Sequence, residues 1–165
     1  MIVLASLGGT LEYYDFVIFG IFAAQIGRAV FPNDDPLVSL MVTFTTFAIG
    51  YLARPLGGLV LGRLGDKFGR RGVFLASIFI TSAATLGIGL VPSYASWGIS
   101  ASILVILLRL TQGFCLGGEL PGAITYVVET APARAPFVCG VVFGFVTMGV
   151  ALGTTMALVI NSVMS

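Results

Sequence analysis

The sequence has 165 residues, of which 58 % are hydrophobic and 9 % charged, with a net charge of +1 at neutral pH. A soluble domain carries about a quarter charged residues because its surface must face water, so an ordinary soluble fold is excluded. The small net charge indicates no nucleic-acid partner. The apolar composition instead predicts a membrane protein. Because the chain has no histidine and its two cysteines are widely spaced, it is predicted not to be an enzyme and to bind no metal or cofactor.

Five apolar stretches are long enough to cross a bilayer, which needs roughly 20 helical residues. They are predicted as helices at residues 2–31, 37–61, 73–91, 98–128 and 137–160. Proline-rich turns at 32–36 and 92–97 separate two pairs of them. The predicted fold class is all-α: one transmembrane domain, residues 1–165, forming a polytopic membrane helix bundle.

The charges of the connections predict the orientation of these spans. Basic residues cluster at 63–71 and recur at Arg134, whereas the loop on the other side carries Asp34 and Asp35. The positive-inside rule therefore places the 63–72 loop and the N-terminus in the cytoplasm. No basic residue precedes the first apolar run, so this run is predicted to be a span and not a removed signal peptide.

The connection between the second and third spans has the most particular sequence of the chain. It combines three glycines with several charged residues. The candidate site residues of this connection are Gly62, Gly65, Asp66, Lys67, Gly69, Arg70 and Arg71. Glycine permits the positive backbone angles of a sharp turn. The Asp66 carboxylate is placed to accept charge-assisted hydrogen bonds from backbone or arginine donors. A simple cytoplasmic anchor would need the basic charges but not this spacing.

This connection resembles the signature loop between helices two and three of the major facilitator superfamily. The surrounding segments resemble one branch, the metabolite:proton symporters of the proline/betaine, α-ketoglutarate, citrate and shikimate type. The resemblance is carried, in order, by residues 11–16, 54–58, 109–114, 117–119 and 129–132. It implies proton-coupled symport of a small organic acid or zwitterion across the bacterial inner membrane.

Among the charged residues inside the predicted spans, four are candidates for pairing within the bundle. Glu12 and Asp15 lie in the first, Arg54 in the second and Arg109 in the fourth. Counted from the outer loops at about 1.5 Å per residue, their depths differ by less than about two helical turns. A charge at mid-membrane costs about 2.5–3.5 kcal/mol on insertion scales, so each is expected to face a partner. Asp15 with Arg109, and Glu12 with Arg54, are the expected pairs, serving either proton coupling or helix–helix attachment.

Four residues are candidates for binding the transported solute. Arg54 and Arg109 offer positive charge to a carboxylate, and Gln112 lies one turn from Arg109 on the same helix face. Tyr14 offers an aromatic edge, although an aromatic side chain in a membrane helix serves packing equally well.

The cytoplasmic ends provide a candidate gate. Glu129 lies beside the second cytoplasmic connection and is expected either to pair with Arg70 or Arg71 when the inner gate closes, or to be a solvated helix-end carboxylate. In the proteins that this chain resembles, the loop around Asp66 contacts the second half of the transporter.

Glycines four residues apart recur and are expected to allow close helix packing. The pairs are Gly58–Gly62, Gly113–Gly117, Gly118–Gly122, Gly140–Gly144 and Gly149–Gly153.

Transporters of this superfamily have twelve spans in two halves, with the solute between them. Five spans correspond to part of the N-terminal half, so a second half or another copy of the chain is the expected partner, beside the lipid bilayer. The alternative is a membrane interaction module, or an inactive fragment, that does not transport.

Overall fold

A computed structural model describes the backbone of residues 2–130 and 135–164 and the side chains of residues 6–119 and 136–162. Within this described part, all regular structure is helical. The helices are α1 (Ile2–Ile21), α2 (Ala23–Val30), α3 (Pro36–Phe68), α4 (Arg70–Leu90), α5 (Tyr94–Trp97), α6 (Ile99–Thr130) and α7 (Ala135–Met164).

Four segments of the described chain are long and apolar enough to cross a membrane. They are Pro36–Phe68, Arg70–Leu90, Ile99–Glu119 and Pro136–Ser162. The prediction of an all-α, polytopic membrane bundle is therefore confirmed. The first predicted span is not among these four and stays a prediction.

The helices belong to two compact units. One unit contains α1 and α7, which pack along each other. The face of α7 that packs inward repeats every three or four residues, through Val142, Val146, Gly149, Gly153 and Ala157, as one face of a helix does.

The second unit comprises residues Phe22–Glu119 and therefore holds α2 to α5 and most of α6. Helix α3 contacts α2 on one side and α4 on another. Among its most buried side chains are Thr43 on α3 and Val105 on α6. Its core is built mainly from small or β-branched residues, which lets the helices lie close together.

The stretch predicted as one helix over 2–31 is interrupted. Helix α1 ends at Ile21, and α2 begins at Ala23 after a turn at Phe22, whose backbone angles are φ −93° and ψ 13°. These angles lie in the sparsely populated bridge region, outside the helical one. Gly20, two residues earlier, lowers the intrinsic helix preference of this segment.

The connection predicted over 62–71 is also different in the structure. Helix α3 continues through Gly62 and Gly65 to Phe68, and α4 starts at Arg70, so that Gly69 alone separates them. Gly69 has φ +93°, a value that favours glycine, and it caps both helices. The intervening arginine, leucine and lysine residues are good helix formers, so α3 extends past the end of its apolar stretch.

Candidate functional site

The two membrane arginines of the second unit are carried by helices that touch through their backbones. A Cβ atom added to Gly113 of α6 would collide with the backbone oxygen of Gly50 on α3, and one on Gly117 would collide with the backbone oxygen of Arg54. Only glycine allows this approach. Gly50 also lies opposite the Arg109 backbone, and Arg54 comes four residues after Gly50 on α3. The backbones of the two arginines are therefore offset by about 6 Å along the helix axes.

The Arg54 guanidinium lies over an aromatic ring of its own helix. Its Cζ atom is 4.0 Å from the centre of the Tyr51 ring, and the Tyr51 ring lies 5.3 Å from that of Phe47. A guanidinium over an aromatic face is a favourable cation–π arrangement, stronger where water is excluded. The Tyr51 ring thus supports the Arg54 guanidinium.

Arg109 belongs to a network of polar side chains between α6 and α4. Its Nη1 atom donates a hydrogen bond to the Gln112 Oε1 atom (2.8 Å), and the Gln112 amide nitrogen donates to the Thr85 hydroxyl (2.8 Å). Arg109 and Gln112 have only 7 % and 3 % of their surface exposed. Buried polar groups at these positions need such partners, because burial without hydrogen bonds is costly.

The same two helices hold a buried carboxylate. Glu119 on α6 is 6 % exposed and accepts a hydrogen bond from the Thr81 hydroxyl on α4 (3.1 Å). Thr81 and Thr85 are one turn apart, and the Thr85 hydroxyl donates to the Thr81 backbone carbonyl (3.0 Å). Two threonines of α4 therefore contact the polar residues that α6 carries into the bundle.

The first unit holds the two candidate carboxylates of α1. Glu12 is 7 % exposed, while Tyr14 and Asp15 are half-buried. Close packing of α1 on α7 fixes this helix: the Thr10 hydroxyl donates to the Phe145 backbone oxygen at 2.9 Å. The candidate carboxylates are therefore carried by a helix pair of their own.

The predicted pairs of Asp15 with Arg109 and of Glu12 with Arg54 join residues of different units, and they stay predictions. Arg109 and Gln112, in contrast, were both chosen as candidates from the sequence and are in direct contact in the structure.

Where α3 meets α4, the Arg70 Nη2 atom donates to the Asp66 carboxylate at 3.2 Å, so this pair bridges the break at Gly69. The Lys67 ammonium lies 5.3 Å from the centre of the neighbouring Phe68 ring. Glu129 and Arg134 lie outside the residues whose side chains the structure describes.

Sequence reasoning did not select Tyr51, Thr81 or Thr85. The spacing of Tyr51 and Arg54 places them on one helix face, which is a usable signal for their contact. The two threonines gave no comparable signal, because a hydroxyl in a membrane helix commonly bonds to its own backbone.

Comparison with known proteins identifies a family over the whole sequence. The family model described as "Sugar (and other) transporter" matches residues 1–165. No solved structure matches the chain significantly.

Several characterised proteins are similar to most of the chain. A proline/betaine transporter of Salmonella typhimurium is 46 % identical and one of Escherichia coli K12 is 45 % identical, each over 130 residues. A glycine betaine/proline/ectoine/pipecolic acid transporter of Dickeya dadantii is 44 % identical over 130 residues. Each match covers 79 % of this chain and 26 % of the relative, so the chain matches about a quarter of the length of these proteins.

Proposed function

The chain belongs to the sugar (and other) transporter family of the major facilitator superfamily, and from this premise we propose that it forms part of a proton-coupled symporter for a small zwitterion. It is a multi-pass membrane protein. One observation carries the proposal: Arg54 and Arg109 lie within one unit, on two apolar helices whose backbones are in contact.

Positive charge inside a membrane helix favours a solute with a carboxylate. Arg109 is held by Gln112, and Arg54 by the Tyr51 ring, so both guanidinium groups are oriented before the solute arrives. Orientation of the binding groups in advance lowers the entropy lost on binding. Proline and betaines, after which the relatives are named, are small molecules with one carboxylate and one positive nitrogen.

Aromatic rings of the chain suit the positive end of such a solute. An ammonium or quaternary nitrogen is attracted to an aromatic face. Tyr14, half-buried in the first unit, is the candidate ring, because the Tyr51 ring already lies against the Arg54 guanidinium. We therefore favour a zwitterion over an organic acid that lacks a positive nitrogen.

Asp15 is the proposed proton carrier. An ionised carboxylate within a membrane span is costly, so gain of a proton changes the free energy of any state in which Asp15 faces apolar surroundings. Glu12, one turn away on the same helix, is the second candidate.

Transport requires one helix bundle to move against another around the solute. We propose that a second bundle, supplied by a further transporter half or by another copy, completes the transporter. The proposed location is the bacterial inner membrane, with the Asp66–Arg70 end of α3 in the cytoplasm, as the positive-inside rule predicts. The proposed cytoplasmic gate lies at this end. It consists of Gly62, Gly65, Asp66, Lys67, Gly69, Arg70, Arg71 and Glu129.

The test is uptake of labelled proline and glycine betaine into membrane vesicles that contain the protein, with and without an inward proton gradient. Gradient-driven accumulation is expected for the unaltered protein. Asp15→Asn is expected to abolish accumulation but to retain exchange of internal for external solute, since the neutral amide mimics the protonated acid. Asp34→Asn, in the exposed loop before α3, is the control and should leave both activities unchanged.

Loss of both activities in Asp15→Asn would indicate a structural role for this carboxylate. Absence of uptake by correctly folded, membrane-inserted protein would contradict the transport proposal and favour a membrane interaction module.

A further inference from the structure

The hydrogen-bond network at Arg109 has a direction. The Thr85 hydroxyl donates its one hydrogen to the Thr81 carbonyl of its own helix, so towards Gln112 it acts as an acceptor. Because the Arg109 guanidinium can only donate, Gln112 presents its NH₂ group to Thr85. This places the amide oxygen on the side of Arg109, where it accepts the hydrogen bond from the Nη1 atom.

A different orientation of the Gln112 amide would be unfavourable at both ends. If the amide were turned round, its oxygen would face a hydroxyl that could donate to it only by giving up the Thr81 carbonyl, and its NH₂ group would face a guanidinium that can only donate. With 3 % of Gln112 exposed, bulk water has little access to repair such a mismatch.

We propose that Thr85 is a positioning residue for Arg109: its hydroxyl orients the Gln112 amide, which in turn holds the guanidinium in place. Thr85 belongs to the apolar part of α4, where the sequence predicted no site residue beyond Arg70 and Arg71 at the start of the helix. The consequence for solute affinity rests on the proposed function, whereas the positioning of Arg109 does not. Because a rigidly held arginine binds a carboxylate better than a mobile one, loss of the hydroxyl should weaken solute binding.

Three variants separate this role from general packing. Thr85→Val keeps the shape of the side chain but removes the hydroxyl. Thr85→Ser restores the hydroxyl on a smaller side chain. Thr111→Val removes a hydroxyl that bonds only to its own helix, at Leu107, on an exposed face of α6, and is the matched control.

The first measurement does not depend on transport. The sequence has two glutamines, Gln25 and Gln112, so ¹⁵N labelling of glutamine side chains in nanodiscs gives two amide signals, of which exposed Gln25 is an internal reference. Arginine labelling, assigned with Arg109→Lys, reports the Arg109 guanidinium. Thr85→Val is expected to shift the Gln112 and Arg109 signals and to speed their hydrogen exchange at least several-fold. Thr85→Ser and Thr111→Val should resemble the unaltered protein.

The second measurement is solute uptake at varied concentration. Thr85→Val is expected to raise KM about tenfold, equivalent to about 1.4 kcal/mol, with a smaller change in maximal rate. Thr85→Ser should restore KM. If Thr85→Val does not fold, Thr85→Ala takes its place in both measurements.

An unchanged Arg109 signal in Thr85→Val would overturn the positioning role, even if the variant were less stable. Altered Arg109 signals with an unchanged KM would overturn its importance for the solute. If the unaltered protein shows no uptake, the proposed function fails, and the magnetic-resonance result alone decides whether Thr85 positions Arg109.

Discussion

The backbone contact between α3 and α6 predicts a large effect of one methyl group. Gly57 lies on α3, and a Cβ atom added there would meet the backbone carbonyl of Phe114 far inside 3.0 Å, a separation that Cβ atoms essentially never show. Gly62, on the same helix, has no atom within 4 Å of an added Cβ. Gly57→Ala and Gly62→Ala are therefore the same chemical change on one helix, in a closed site and in an open one.

The expected magnitudes follow from two opposing effects. Replacement of glycine by alanine within a helix stabilises it by up to about 1 kcal/mol, and this gain applies to both variants. At Gly57 the obstacle is a backbone carbonyl, which cannot change rotamer, so the helices must separate. Overpacking typically costs about 1–3 kcal/mol, and a rigid neighbour favours the upper end. Gly57→Ala is expected to lose about 2 kcal/mol net, and Gly62→Ala to gain up to about 1 kcal/mol.

Cys115 provides the readout, because it lies on α6 beside the contact and is 4 % exposed. In a background of Cys139→Ser, Cys115 is the only thiol, and its labelling across an SDS titration in mixed micelles gives the free energy of unfolding. The expected order is Gly62→Ala, unaltered protein, Gly57→Ala, from most to least stable. If Gly57→Ala were within about 0.5 kcal/mol of Gly62→Ala, the α3–α6 backbone contact would be refuted.

Three further predictions concern single interactions. Thr10→Val removes an interhelical hydrogen bond of 2.9 Å and should lower the free energy of unfolding by about 0.6–1.7 kcal/mol. Thr147→Val, which removes a hydroxyl that bonds only within its helix, should be close to neutral, and equal losses in the two variants would contradict the interhelical bond. Tyr51→Leu removes the ring below the Arg54 guanidinium and should raise the KM for solute about five-fold, since a cation–π contact contributes about 0.5–2 kcal/mol. Tyr51→Phe keeps the ring and should have a nearly normal KM, so similar KM values for the two variants would contradict this role of the ring. Asp66→Asn breaks an exposed pair with Arg70 and should change stability by less than about 0.5 kcal/mol while slowing uptake, and a stability loss without slower uptake would argue against a gate.

The glycine pairs show what a sequence pattern can and cannot predict. Gly113 with Gly117, and Gly149 with Gly153, do lie at close helix contacts, but Gly140 and Gly144 have no atom within 4 Å of an added Cβ. In the two remaining pairs, Gly58 and Gly118 lie at close contacts, Gly62 does not, and Gly122 lies outside the described side chains. Spacing determines which residues share a helix face, whereas contact depends on whether a second helix faces them.

Three helix boundaries illustrate the same distinction between local and tertiary information. The prolines and aspartates of 32–36 predict a break, and Asp35 indeed caps α3 through the Leu37 backbone amide at 2.9 Å. The turn at Phe22 carries no such residue at its centre and was missed. The helical extension to Phe68 was missed because charge was used to end a membrane span, although charged residues form helices well in water.

Within the second unit, the contact of α3 with α6 differs from that of α4 with α6, and this difference determines how the helices that carry the two arginines would move. Arg54 and Arg109 are attached to helices whose backbones touch at Gly113 and Gly117, where no side chain can absorb a displacement, so α3 and α6 should move as one body and carry both charges together. The contact of α6 with α4 instead includes polar side chains, Gln112 and Thr85 among them. Hydrogen bonds of this kind contribute on average about 0.6 kcal/mol in membranes. If a proton or solute changes the partners of Arg109, the α4–α6 contact should rearrange first, and the α3–α6 pair should transmit the change to Arg54.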